Sequence, residues 1–288
     1  MSEPSSISKY LSLIKFSHTI FALPFAIVGF LMAIYGTDAS FDLKTLILVI
    51  LCMVFARSAA MAFNRLVDKD IDKDNPRTAI REIPAGVISS GAALVFVIIS
   101  SLLFIMTCYF INTICFYLSP VALLVILGYS YSKRFTFLSH LILGLGLALA
   151  PIGAYLAVTG VFAWTPLLIS LAVLFWVSGF DIIYALQDIE FDKSHGLRSF
   201  PVLLGKKGAL VLSSFFHILT ATFIFLAGYY GEFGIWYWIG CGIFSGLLIY
   251  QHTLVKVDDL SKINMAFFTT NGVGSVVFAV FVILDLTL

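Results

Sequence analysis

Continuous apolar runs of about 20 residues, among them those built around LILVILCMVF and VVFAVFVIL, recur along the whole chain and set the medium in which it can fold. Lipid offers no hydrogen bonds, so a spanning backbone must satisfy itself, either as a helix or as a closed barrel. Barrel strands alternate apolar and polar residues over roughly ten positions, and these runs do not alternate. The expectation is an all-α polytopic membrane protein, surrounded by membrane lipid. Composition agrees: the 288 residues are 60% hydrophobic and 11% charged, against about 25% charged in a water-soluble domain.

Breaks between the runs give nine expected transmembrane helices, near residues 15–35, 44–64, 88–108, 112–130, 137–158, 165–186, 208–230, 234–254 and 264–286. No linker separates a soluble unit, so 1–288 reads as a single intramembrane domain. Positive charge collects on cytoplasmic loops, and 15 of the 17 Lys and Arg fall on one side of this arrangement, leaving Lys44 opposite and Arg57 inside a span. The expected location is the inner (cytoplasmic) membrane, with the N-terminus cytoplasmic and the C-terminus outside. The opening MSEPSSISKY lacks the build of a cleaved signal peptide. Cys52, Cys108, Cys115 and Cys241 lie in apolar runs without metal-binding spacing and read as small buried hydrophobes. A net charge of +1 gives no sign of nucleic-acid binding, and GIWYWIG reads as an interfacial aromatic belt.

Against this background the acids are conspicuous. DKDIDK (Asp68 to Lys73) and DIEFDK (Asp188 to Lys193) share the frame D-x-[DE]-x-D-K, 120 residues apart, each closing an even-numbered span. The repetition suggests two related halves with the acids on the cytoplasmic side. If the spans run on as helices, Asp68 and Asp72 share a face with Asn64 one turn deeper, and Asp181, Tyr184, Asp188 and Asp192 form a second stripe. Paired carboxylates without His or Cys suit Mg2+, which is commonly held by one or two carboxylates plus substrate phosphates. Two D-x-x-x-D faces therefore read as a magnesium-bridged diphosphate clamp. Solvated helix ends account for Asp70, Asp74 and Glu190. A cation-coupled transporter is the rival reading, but it calls for acids at the bilayer midplane and broken helices in both halves.

NRLVDKDIDKDNPRTAIREIPAG resembles the N-x-x-x-D-x-x-x-D signature of the UbiA superfamily of intramembrane prenyltransferases, YALQDIEFDKSHGLRSFPVLLG resembles its second aspartate motif, and GYSYSKRFTFLSH is similar to a third family segment. The resemblance covers most of the chain and is greatest to the 4-hydroxybenzoate polyprenyltransferase branch, including similar proteins of the futalosine route to menaquinone. It implies transfer of a polyprenyl group from polyprenyl diphosphate to an aromatic acid acceptor, 4-hydroxybenzoate or a dihydroxynaphthoate, in ubiquinone or menaquinone biosynthesis. Haem O synthase-like and glycerol-phosphate prenyltransferases are the alternatives within the fold. Many relatives carry Asp directly after the motif Asn; Arg65 stands here, which bears on the acceptor.

The resemblance also implies roles. Asp68, Asp72, Asp188 and Asp192 would act through Mg2+ with Asn64 as a supporting ligand, while Lys133, Arg77 and Arg198 would bind diphosphate. Positive-inside topology alone is the competing account of Lys133, Arg134, Arg77 and Arg198. Asp181 and Tyr184 would orient the acceptor or take its proton, and a helix-helix hydrogen bond is the bland alternative. Arg57 costs on the order of 2.5 to 3.5 kcal/mol within a span, so it should face the bundle interior. Its position relative to Asn64 implies that it holds the acceptor carboxylate through paired hydrogen bonds; pairing with Asp181 is the structural alternative. His18 lies near the cytoplasmic end of the first span, and His140, His217 and His252 show no partner spacing and read as structural.

Overall fold

The computed structural model describes residues 6–14 and 21–288. Lys15, His18 and the start of the first expected span lie outside the described residues. Among the described residues the chain forms α1 (Ser6–Leu13), α2 (Leu23–Tyr35), α3 (Leu43–Val67), α4 (Lys69–Asp74), α5 (Ser90–Ile111), α6 (Thr113–Ser132), α7 (Ser139–Thr159), α8 (Trp164–Ala185), α9 (Ile189–Ser194), α10 (Phe200–Tyr230), α11 (Ile235–Leu254) and α12 (Asn271–Thr287). Helix stands in every run expected to span. Seven of these stretches are long and apolar enough to cross a membrane: α3, α5, α6, α7, α8 continued through α9, α10, and Met265–Thr287. The expected count of nine is not met by this measure. α2 has only 13 described residues, and α11 is diluted by aromatics in its first turn and by Gln251 and His252 in its last.

Local chemistry starts several of these helices. Asp42 accepts from the Lys44 and Thr45 amides at the head of α3, Ser89 from Ala92 at α5, Asn112 from Cys115 at α6, and Ser199 from Val202 at α10. Each satisfies donors that a helix start leaves without a partner. Asn112 also donates to the carbonyls of Leu156 and Ala157 at 2.8 and 3.2 Å, tying the start of α6 to the end of α7.

Packing centres on α8, which lies against α7 and α10, while α2 lies against α7, α3 against α5 and α11 against α12. Lipid tails are as apolar as Leu, so close fit and hydrogen bonds hold such a bundle. Trp176 forms the middle of an aromatic cluster with Phe25, Phe180 and Phe244. Its indole donates to Asn271 Oδ1 at 3.0 Å. Asn271 follows a π-helical turn, Met265–Thr270, and its amide donates to the carbonyls of Ala266 and Phe267. Two histidines without partner spacing in the sequence meet across helices: His217 Nδ1 and His252 Nε2 are 2.8 Å apart between α10 and α11.

Candidate active site

The two acidic repeats fold alike. α3 ends at Asp68, which caps it with φ −90° and ψ 7°, and the six-residue α4 follows. α8 ends in a single 3-10 turn, Leu186–Asp188, where Asp188 adopts φ −104° and ψ 4°, and the six-residue α9 follows. Asp68 and Asp188 thus stand at equivalent helix breaks, and Asp72 and Asp192 are the fourth residues of the short helices. The spans therefore do not run on unbroken as the spacing implied. The shared face survives at the first repeat because the Asp72 amide still bonds the Asp68 carbonyl at 2.7 Å. Asp72 and Asp192 are buried, at 5% and 3% exposure.

Both repeats line one polar cavity of about 140 Å³, together with Asn64, Asp181, Arg77 and Lys133. The loop after α4 and the turn after α6 bring cations onto the acids. Arg77 grips both oxygens of Asp188, with Nε to Oδ1 at 3.2 Å and Nη2 to Oδ2 at 2.7 Å. Arg81 Nη1 donates to both oxygens of Asp72 at 2.6 and 2.7 Å. Arg134 Nη2 stands 3.0 Å from Asp68 Oδ1, and Asn64 Nδ2 donates to Asp68 Oδ2 at 3.1 Å. Burial pushes the Asp68 carboxyl above the ordinary carboxylate range, although Arg134 and Lys133 oppose the rise. Burial penalises the Lys133 ammonium, but the carboxylates of Asp192, Asp181, Asp188 and Asp68 outweigh it and hold Lys133 above the ordinary lysine value.

The donor set fits a hard divalent cation. Asn64, Asp68, Asp72, Asp188 and Asp192 all offer oxygen, and Asp192 Oδ2 is buried without a hydrogen-bond partner among the described residues, an orphan that a cation would satisfy. Among the described residues no group of three acids or histidines stands close enough to enclose one ion.

Three residues named from the sequence sit elsewhere. Arg198 is exposed outside the cavity; its amide donates to the Lys133 carbonyl at 2.7 Å and its Nη1 to the Phe135 carbonyl at 2.8 Å, so it braces the turn that carries Lys133. Tyr184 is turned aside onto Phe267, ring centroids 4.1 Å apart, and its hydroxyl accepts from Arg77 at 3.4 Å. Arg57 lines a second, apolar cavity of about 410 Å³. Tyr129 and Leu143 belong to the walls of both cavities, so the two adjoin. Asp181, the alternative partner considered for Arg57, has its Oδ2 2.6 Å from His140 Nδ1. Arg65 is buried beside the first repeat, outside the cavity wall, and its Nε and Nη1 find no hydrogen-bond partner among the described residues.

Arg81, Tyr129 and His140 come to the cavity or its aspartates only in the folded chain. Arg81 lies within the first quoted motif, while Tyr129 and His140 flank Lys133 in GYSYSKRFTFLSH. Only the fold shows which way they point.

Comparison with known proteins gives a consistent picture. The sequence model of the UbiA prenyltransferase family matches residues 22–273. A 4-hydroxybenzoate octaprenyltransferase of Aliivibrio fischeri (strain MJ11) is 30% identical over 246 residues, 84% of each chain. That of Nitrosomonas eutropha (strain DSM 101675 / C91 / Nm57) is 30% identical over 263 residues, 88% of this chain and 91% of the relative. The apo structure of a UbiA homolog from Aeropyrum pernix K1 superposes with a TM-score of 0.83 at 33% identity, covering 93% of this chain and 98% of that one. A UbiA homolog from Archaeoglobus fulgidus bound to GPP and Mg2+ shares the fold, with a TM-score of 0.75 at 23% identity over 98% of this chain and 100% of the other.

Proposed function

The chain belongs to the UbiA prenyltransferase family, and from that premise we propose that it transfers a polyprenyl group from polyprenyl diphosphate to an aromatic acid, 4-hydroxybenzoate or a dihydroxynaphthoate, in quinone biosynthesis. The observation that carries the reading is the meeting of both aspartate repeats in one polar cavity whose walls continue into an apolar one. The first cavity suits a diphosphate and the second a hydrocarbon tail. Relatives' structures that hold Mg2+ and Cd2+ support a divalent metal here, with Asn64, Asp68, Asp72, Asp188 and Asp192 as its ligands. When bound, Mg2+ supplies charge that stabilises the departing diphosphate.

The side chains then divide the work. Lys133, held as a cation by the surrounding carboxylates, meets the diphosphate directly. Arg77 and Arg81 neutralise Asp188 and Asp72 in the structure. With a cation held at those oxygens, Arg77 and Arg81 would be free to bind the diphosphate. Arg198 acts at one remove, through the turn that sets Lys133. Arg57, facing the apolar cavity next to Tyr129, holds the acceptor carboxylate, for which its fork of donors is suited. Loss of the allylic carbon–oxygen bond leaves an electrophile that the activated ring attacks, and the ring then gives up a proton. The whole of 1–288 serves as one intramembrane catalytic domain, with the cavity open to the cytoplasmic side.

The test is an acceptor panel. Purified protein with one polyprenyl diphosphate and Mg2+ is offered 4-hydroxybenzoate, a dihydroxynaphthoate, phenol, glycerol phosphate and haem B. Prenylated product from an aromatic acid, and far less from phenol, supports the reading. Product from haem B or glycerol phosphate alone replaces the acceptor, and product from none of them favours cation-coupled transport.

A further inference from the structure

Five carboxylates line the polar cavity, and four belong to the D-x-x-x-D repeats. Three of those four are held by arginines, and the fourth, Asp192, has one oxygen without a hydrogen-bond partner among the described residues. The fifth, Asp181, sits seven residues before Asp188 on α8 and is outside both repeats. Its side-chain partner among the described residues is a histidine, with His140 Nδ1 2.6 Å from Oδ2. His140 is fully buried at the start of α7, its ring stacked on Phe200 at 5.8 Å, and its Nε2 has no hydrogen-bond partner among the described residues.

The contact of His140 Nδ1 with Oδ2 holds the Asp181 carboxylate in place, where arginines hold Asp68, Asp72 and Asp188. Asp181 lines the polar cavity with its side chain 22% exposed, and Oδ1 is the oxygen that His140 does not hold.

Resting on the function proposed above, we propose that Asp181 is the base that removes the ring proton of the acceptor and that His140 is the residue that positions it. The bond between the allylic carbon and the diphosphate oxygen breaks, and the diphosphate leaves with the electron pair. Ring π electrons form the new carbon–carbon bond. The proton on that ring carbon passes to Asp181 Oδ1, and its C–H electrons restore the aromatic ring. Tyr129, in the wall shared by both cavities, marks where the ring bridges the polar and apolar spaces.

The test uses the aromatic acid that the enzyme prenylates, deuterated at the reacting ring carbon. In the wild type, proton removal follows the slower bond formation and the isotope effect on kcat stays near unity. Asp181→Asn and His140→Leu should lower kcat about a hundredfold, in the range of a lost general base, and lift the isotope effect clearly above unity. The KM for polyprenyl diphosphate should stay unchanged. His140→Asn, which keeps an N–H close to the Nδ1 position, should restore most of kcat. Unchanged binding of magnesium pyrophosphate verifies that each variant is folded, and Asp181→Asn keeps the test open if the buried leucine misfolds. Folded variants with wild-type kcat, or with reduced kcat and an isotope effect still near unity, overturn the proposal while leaving the prenyltransferase reading intact. Absence of product from every aromatic acid sinks that reading, and this proposal with it.

Discussion

Arg81 places one nitrogen against both oxygens of Asp72, the oxygens assigned here to a metal. A bound cation must displace it, so the arginine should weaken metal binding on its own and strengthen it when diphosphate is present to receive the guanidinium. Arg81→Gln is expected to tighten Mg2+ alone by roughly tenfold, equivalent to about 1.4 kcal/mol, and to weaken magnesium pyrophosphate. Calorimetric titration with and without pyrophosphate measures both; weaker Mg2+ binding in the variant would refute the exchange. Residues at this scale were unevenly legible in the sequence. The four aspartates stood out because their spacing is duplicated, and Arg57 because an arginine within a span needs a reason. The partners of those aspartates did not stand out. Arg81 reaches Asp72 only because the chain turns back after α4, and His140 reaches Asp181 across 41 residues and two helices, a contact that no spacing encodes.

Short helices after a break are the repeated device of the site. In α3–α4 and in α8–α9 a long helix stops at one aspartate and restarts for six residues that carry the second. Periodicity predicts helix through both stretches and misses the break, because Asp68 and Asp188 depart from helical ψ by a single residue and the side-chain stripe hardly shifts. Close approach elsewhere sets how the long helices stand around these ends. A Cβ on Gly29 would collide with the Pro151 carbonyl oxygen, backbone against backbone, where α2 meets α7. Gly29→Ala forces the two helices apart. Overpacking of this kind typically costs about 1–3 kcal/mol, and it should lower the Tm of the detergent-solubilised protein. An unchanged Tm would mean that α2 and α7 do not touch there.

Taken as a whole, the molecule is a multi-span membrane protein with its polar chemistry gathered at one end of the bundle. Composition and run length made that architecture readable, since only helices carry such sequences through lipid; the number of crossings was less readable, because α2 and α11 fall below the length or hydropathy of a clear span. If charge asymmetry orients the bundle, a reporter inserted at Asn75 should read as cytoplasmic and one fused after Leu288 as external. Two reporters on one side would require an even number of crossings. The central claim is that two aspartate repeats, one from each half, act through metal on one diphosphate. Turnover of polyprenyl diphosphate by Asp68→Ala and by Asp188→Ala, beside wild-type enzyme treated with EDTA and then with Mg2+, tests it most directly. The account predicts that each variant is inserted in the membrane yet inactive, and that EDTA abolishes wild-type turnover until Mg2+ is restored. Near-normal turnover in either variant, or activity indifferent to EDTA, would contradict it.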